Sequence, residues 1–240
     1  ERLRLLSDGE LTSTANNNGQ IIHSFKNDNT TAGSSAMTVE HWFRFNRTGG
    51  GMNASAARII AGKEREWIGG ASNQDGYFAI HTTADETSSE KMRISSGGIM
   101  TRPYQPAFSA QGDSSPVDSS DGYTGMLSNY MTVMECNVGS HYKTSGSDEG
   151  KFVAPVAGNY FFSAGCLLRL RSGSSGSGEL SFYKNNSNIS TRSLGYSYLV
   201  GSNDHDNVTI TAIISLAAGD KVHLGSHACS NNLDWYWGQG

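Results

Sequence analysis

The residues of this chain that could do chemistry are few and fall into small groups. Leu233-Asp234-Trp235-Tyr236-Trp237, next to Asn231-Asn232, sets three aromatic rings side by side. Amphipathic rings of this kind stack on sugars and anchor recognition surfaces. The plainer alternative is that alternate rings cover the base of a domain or a seam between copies. Asn203-Asp204-His205-Asp206-Asn207 packs two carboxylates, an imidazole and two amides into five residues. Oxygen-rich loops can hold Ca²⁺, but the spaced Asp-x-Asp-x-Asp-Gly pattern is missing. That group reads more simply as a solvated turn, so no cofactor and no metal site is expected. Trp235, Tyr236, Trp237, Asp204, His205 and Asp206 are the candidate receptor-binding residues.

Catalysis has weaker support. Glu64 with Glu66, and Asp85 with Glu86, are carboxylate pairs of the kind that hydrolyse polysaccharides. Alternate charges on a strand, however, ordinarily mark its wet face. No Gly-x-Ser-x-Gly elbow, phosphate loop or His-Glu-x-x-His motif occurs. His223 and His227 are four apart, which on a strand separates them by roughly 13 Å, too far for one metal. Cys136, Cys166 and Cys229 are odd in number and widely spaced, unlike a disulfide framework or a zinc pattern. Cys166 sits among Phe161, Phe162, Leu167 and Leu168 and reads as a small buried hydrophobe. A Cys136–Cys229 bridge is the one pairing left open. No catalytic residue is assigned.

The elements that must position these groups are strands. Gly accounts for 29 of 240 residues and only 36% are hydrophobic, which suits an all-β chain rich in turns. Short alternating runs lie between Gly, Asn and Ser clusters, without long windows of period 3.6. The formal net charge of −4 comes from residues spread along the chain, so no basic stripe exists for nucleic acid. No apolar run approaches the roughly 20 residues of a membrane-spanning helix. The chain opens on Glu1 without a signal peptide and reads as a piece of something longer.

Glu1-Arg-Leu-Arg-Leu-Leu-Ser-Asp-Gly-Glu-Leu-Thr12 recurs as Glu90-Lys-Met-Arg-Ile-Ser-Ser-Gly-Gly-Ile-Met-Thr101. Identities fall at Glu1/Glu90, Arg4/Arg93, Ser7/Ser96, Gly9/Gly98 and Thr12/Thr101. Each copy reads as strand, turn and returning strand, and such repeats mean stacked, extended architectures. Residues 1–12 are therefore expected to close a preceding module, and 13–101 to form a β-rich shaft module. Strands are expected at Ile21–Phe25, Val39–Phe45, Ala57–Ala61 and Gly76–His81. Turns are expected at 16–19, 48–51 and 73–76. So short and polar a module buries little core alone, so a trimeric, β-prism-like shaft is the expectation. Residues 102–106, with Pro103 and Pro106, form a stiff joint. From 107 to 240 strands are expected at Tyr130–Cys136, Gly150–Ala154, Asn159–Arg171, Glu179–Lys184, Val208–Leu216 and Lys221–Gly225. Ser172–Gly178 reads as a flexible loop.

The repeated hairpin and its Pro-containing joint resemble the tail fibres and related fibre proteins of bacteriophages. Gly150-Lys-Phe152-Val-Ala-Pro155-Val-Ala-Gly158-Asn-Tyr160-Phe-Phe162 and Leu216-Ala-Ala-Gly219-Asp220-Lys-Val222-His-Leu224 resemble the C1q/TNF-like head family. That second resemblance covers nearly all of 107–240. It implies a jelly-roll head that assembles as a homotrimer and binds without an active site. Family heads end in a strand of the type Phe-x-Gly-Phe/Tyr-Leu-Ile, and here the chain stops at Tyr236-Trp-Gly-Gln-Gly240, so that last strand is expected to be missing. The combined expectation is a virion fibre whose head adsorbs to a host-surface glycan or protein. Other virion proteins would be partners, and neither nucleic acid nor membrane insertion is expected. The rival expectation is a structural capsid fibre or decoration protein that binds no receptor.

Overall fold

The computed structural model describes residues 2–5, 11–14, 37–45, 54–67, 74–112, 117–118, 131–188, 194–230 and 232–236. The strand expected at 21–25 and the turns expected at 16–19 and 48–51 lie outside them. The fold is all-β: among the described residues every element is a strand except a single 3₁₀ turn at Val138–Ser140. The chain divides into two units, Glu1–Pro103 and Tyr104–Gly240.

In the first unit β1 (Arg2–Leu5) pairs antiparallel with β2 (Leu11–Thr14). A five-stranded antiparallel meander follows: β3 (Thr38–Phe45), β4 (Ala54–Lys63), β5 (Gly76–Ala84), β6 (Thr87–Ile94) and β7 (Met100–Thr101). The sequence repeat carries its register with it. Arg4 pairs with Thr12 and Leu5 with Leu11, as Arg93 pairs with Thr101 and Ile94 with Met100. β5 and β6 join through Asp85 and Glu86, both left-handed at φ 46° and 65°. Two successive positive φ values are what a tight hairpin of right-twisted strands demands. Those two carboxylates are thus turn residues.

The second unit contains β8 (Phe108–Gly112), β9 (Val117–Asp118), β10 (Met131–Asn137), β11 (Phe152–Val153), β12 (Gly158–Leu170) and β13 (Ser175–Lys184). It continues with β14 (Ser187–Asn188), β15 (Leu194–Val200), β16 (His205–Leu216), β17 (Lys221–His227) and β18 (Leu233–Tyr236). One sheet runs β16-β12-β18-β9 and the other β11-β17-β13-β15, with β14 paired to the end of β13 and a separate β8–β10 pair. The chain passes repeatedly from one sheet to the other, in the manner of a jelly roll. Inward side chains of both sheets share one core, including Leu168, Leu170, Leu180, Leu199, Leu233 and Trp235. At one end Phe108 stacks on Tyr142 and Phe152 at 4.9 and 5.5 Å between ring centres. The β16–β17 turn uses Gly219 at φ 85°, and Asp220 accepts the Ala217 N–H at 2.8 Å. Hydrogen bonds from Lys184, Asn185 and that N–H hold the Asp220 carboxyl down to about 2.

Two expectations change. Ser175–Gly178 is part of β13, not a flexible loop, because Gly176 and Gly178 turn inward beneath Leu170, Leu168, Leu233 and Trp235. His205–Asn207 opens β16 instead of forming a turn. Leu233–Tyr236 forms β18, which holds an interior place between β12 and β9.

Candidate functional site

Alternation along β15 decides what the second unit presents there. Gly195, Ser197 and Leu199 point inward and are buried, while Tyr196, Tyr198 and Val200 point out. Tyr196 is 57% and Tyr198 58% exposed, an unusual state for two such large rings on adjacent same-face positions. They stand about 6.8 Å apart along the strand. Across β13, Tyr196 lies opposite Glu179 and Tyr198 opposite Ser177. Glu179 in turn lies opposite His227 of β17, and its Oε2 is 2.7 Å from His227 Nδ1. Three strands therefore set a row of ring, carboxylate and imidazole on one outer face. Ser177 is fixed beside it by its N–H to Ser230 Oγ at 3.0 Å.

This surface can offer aromatic faces to the apolar side of a sugar or peptide and a fixed carboxylate to hydroxyl or amide donors. Four residues along the same two strands, Tyr183 and His223 are stacked at 5.0 Å and buried. Burial, with the Lys151 charge adding to it, holds His223 down to about 4, so this ring is neutral near pH 7.

The sequence candidates separate. Trp235 is fully buried in the core and Tyr236 is buried beside it, both within β18 and paired to β12, so neither can stack on a ligand. Asp234, immediately before them, is also buried, its Oδ1 3.3 Å from Arg171 and its Oδ2 3.6 Å from Arg169. That clamp is what lets an acidic residue sit in a core strand. Trp237 lies outside the described residues.

Asp204, His205 and Asp206 stay exposed, Asp204 just before β16 and the other two at its start. Their carboxylates serve the chain: Asp204 accepts the Val200 and His205 N–H groups, and Asp206 accepts Ser197 Oγ at 2.5 Å and the Asn207 N–H at 2.8 Å. The connection from β15 to β16 thereby holds the end of the tyrosine strand. No group of three metal-binding side chains occurs among the described residues. Tyr196 and Tyr198 were missed in the sequence, although Gly195-Tyr-Ser-Tyr-Leu199 carries the alternating signature.

A cavity of about 410 Å³ opens between β8, β12 and β17, lined by Phe108, Ala110, Met131, Phe162 and Leu224 among others. Its wall is mostly apolar, with Ser109, Gln111, Tyr142, Ser163 and His223 as the polar side chains among its lining. The three cysteines are free thiols, and burial pushes those of Cys166 and Cys229 up, away from the reactive thiolate. The Cys136–Cys229 bridge does not form.

No family model matches the chain, and no curated protein is similar to it.

Proposed function

We propose that this chain belongs to a trimeric virion fibre and that its second unit adsorbs to a host surface through the outer face of β13, β15 and β17. The observation that carries the reading is the exposed pair Tyr196 and Tyr198 beside the Glu179–His227 pair. Exposed large aromatics next to oriented polar groups are the chemistry of recognition, not of a solvated sheet face. Support for a fibre comes from the repeated hairpin, whose two copies pair in the same register. Support for a C1q-like head comes from the two-sheet jelly roll and the Leu216–Leu224 turn, which carries the chain from one sheet to the other. The ligand class is a host-surface glycan or protein, with two further copies and other virion proteins as assembly partners. Neither catalysis, nucleic acid nor membrane insertion enters this function. Three equivalent weak sites on one trimer raise overall affinity by roughly 10²–10⁴.

The test is saturable binding of the labelled full chain to bacterial cells that adsorb the virus, with competition by virions. Binding that blocks infection supports the reading. A well-folded trimer that ignores those cells points to a structural fibre or decoration protein instead.

A further inference from the structure

The β3–β7 sheet of the first unit has two opposed faces, and the apolar one keeps several large side chains exposed. On one face Glu40, Arg58, Glu90 and Arg93 form ion pairs, Arg58–Glu40 at 3.0 Å and Arg93–Glu90 at 2.7 Å. Arg44 and Arg58 lie over the Trp42 ring at 4.5 and 4.9 Å, and Arg93 over Tyr77 at 3.7 Å. These long side chains make a layer of their own, and Ile60 and Ala79 beneath it are buried. The other face carries Phe43, Ile59, Phe78, Ile80, Met92 and Met100, joined by the cross-strand pairs Ile59/Ile80 and Ile80/Met92. Phe43 is 45%, Phe78 39% and Met100 51% exposed. Lys63, at the end of β4 on this side, lies over the Trp67 ring at 5.0 Å, at the margin of the sheet.

A sheet with one apolar face is stable when a second layer covers that face. Here the order is inverted, with the charged face closed by its own side chains and the apolar face exposed. We infer that this apolar face packs against the same face of two further copies of the chain. Identical copies fit it because, apart from His41 opposite Ile59 and beside Phe43 and Lys63 at the margin, the side chains named on it are apolar. Its extent fits too: four strands at ~4.8 Å and about eight residues at ~3.4 Å, with the two-residue β7 at the edge, give roughly 500 Å². That is of the order of the ~800 Å² per partner in a stable interface. Patches of this size on an isolated unit mark interaction sites. The inference rests on the trimeric-fibre reading and adds which surface makes the trimer.

Hydroxyl-radical footprinting of the full chain, with its mass measured by sedimentation in the same buffer, tests it. The expected result is a trimer in which Phe43, Phe78, Met92 and Met100 are protected several-fold relative to the denatured chain, while Trp42 and Tyr104 react freely. A trimer whose Phe78 and Met100 react as fast as in the denatured chain overturns the inference and leaves the trimeric fibre standing. A monomer with those residues reactive overturns both. A monomer with them protected means that another stretch of the same chain covers the face, and also overturns both.

Discussion

Glu179 and His227 face one another across β13 and β17, carboxylate Oε2 to Nδ1 at 2.7 Å, and Tyr196 borders the same carboxylate from β15. The imidazole fixes the direction of a carboxylate that would otherwise swing freely, and the rings beside it remain open to solvent. A pre-oriented polar group next to rigid aromatics costs little further entropy when a ligand arrives. This relationship is the centre of the functional account.

Trp235 is expected to matter for folding alone. Trp235→Ala empties a fully buried site against Leu168 and Gly178. The loss is expected to be ~3–5 kcal/mol, read by urea unfolding. Binding per folded molecule should stay unchanged.

The same residue shows where the sequence was and was not legible. Alternation made β12, β16 and β17 readable, since Val208, Ile210, Ile214 and Leu216 point into the core as their spacing requires. Leu233–Trp237 misled because Asn231, Asn232 and Asp234 give a surface flavour to a core strand. Only the Arg169 and Arg171 partners, more than sixty residues away in sequence, make Asp234 tolerable there. Ser175–Gly178 misled because its composition is that of a linker. Its Gly positions are dictated by Leu168 and Trp235 on the facing sheet, which local sequence cannot reveal.

Gly195→Ala tests that packing logic on β15. A Cβ there would lie 2.6 Å from Val208 Cγ1 and 2.7 Å from Ile210 Cγ2, two stiff side chains on the facing sheet. Overpacking should cost ~1–3 kcal/mol in thermal or urea unfolding.

Acidification should destabilise the second unit through His223. In the unfolded chain this ring takes its proton near 6.5, but in the folded chain only near 4. Between those values the unfolded state binds more protons, so stability falls as pH drops through that window and is full above it. After allowance for partial solvent screening the loss is on the order of 2 kcal/mol. His223→Gln should flatten the pH dependence of the urea midpoint between pH 6.5 and 4, and an unchanged slope would refute the assignment.

The most direct measurement compares cell binding by the full chain with that of Tyr196→Ala/Tyr198→Ala, using Trp42→Ala as a control for an exposed aromatic in the other unit. Both tyrosines are mostly in solvent, so the double variant should unfold at the same urea concentration as the native chain. Two recognition aromatics together contribute at least ~1.4 kcal/mol, so binding should weaken tenfold or more. The Trp42 variant should bind as the native chain does. Undiminished adsorption by the folded double variant would contradict the account.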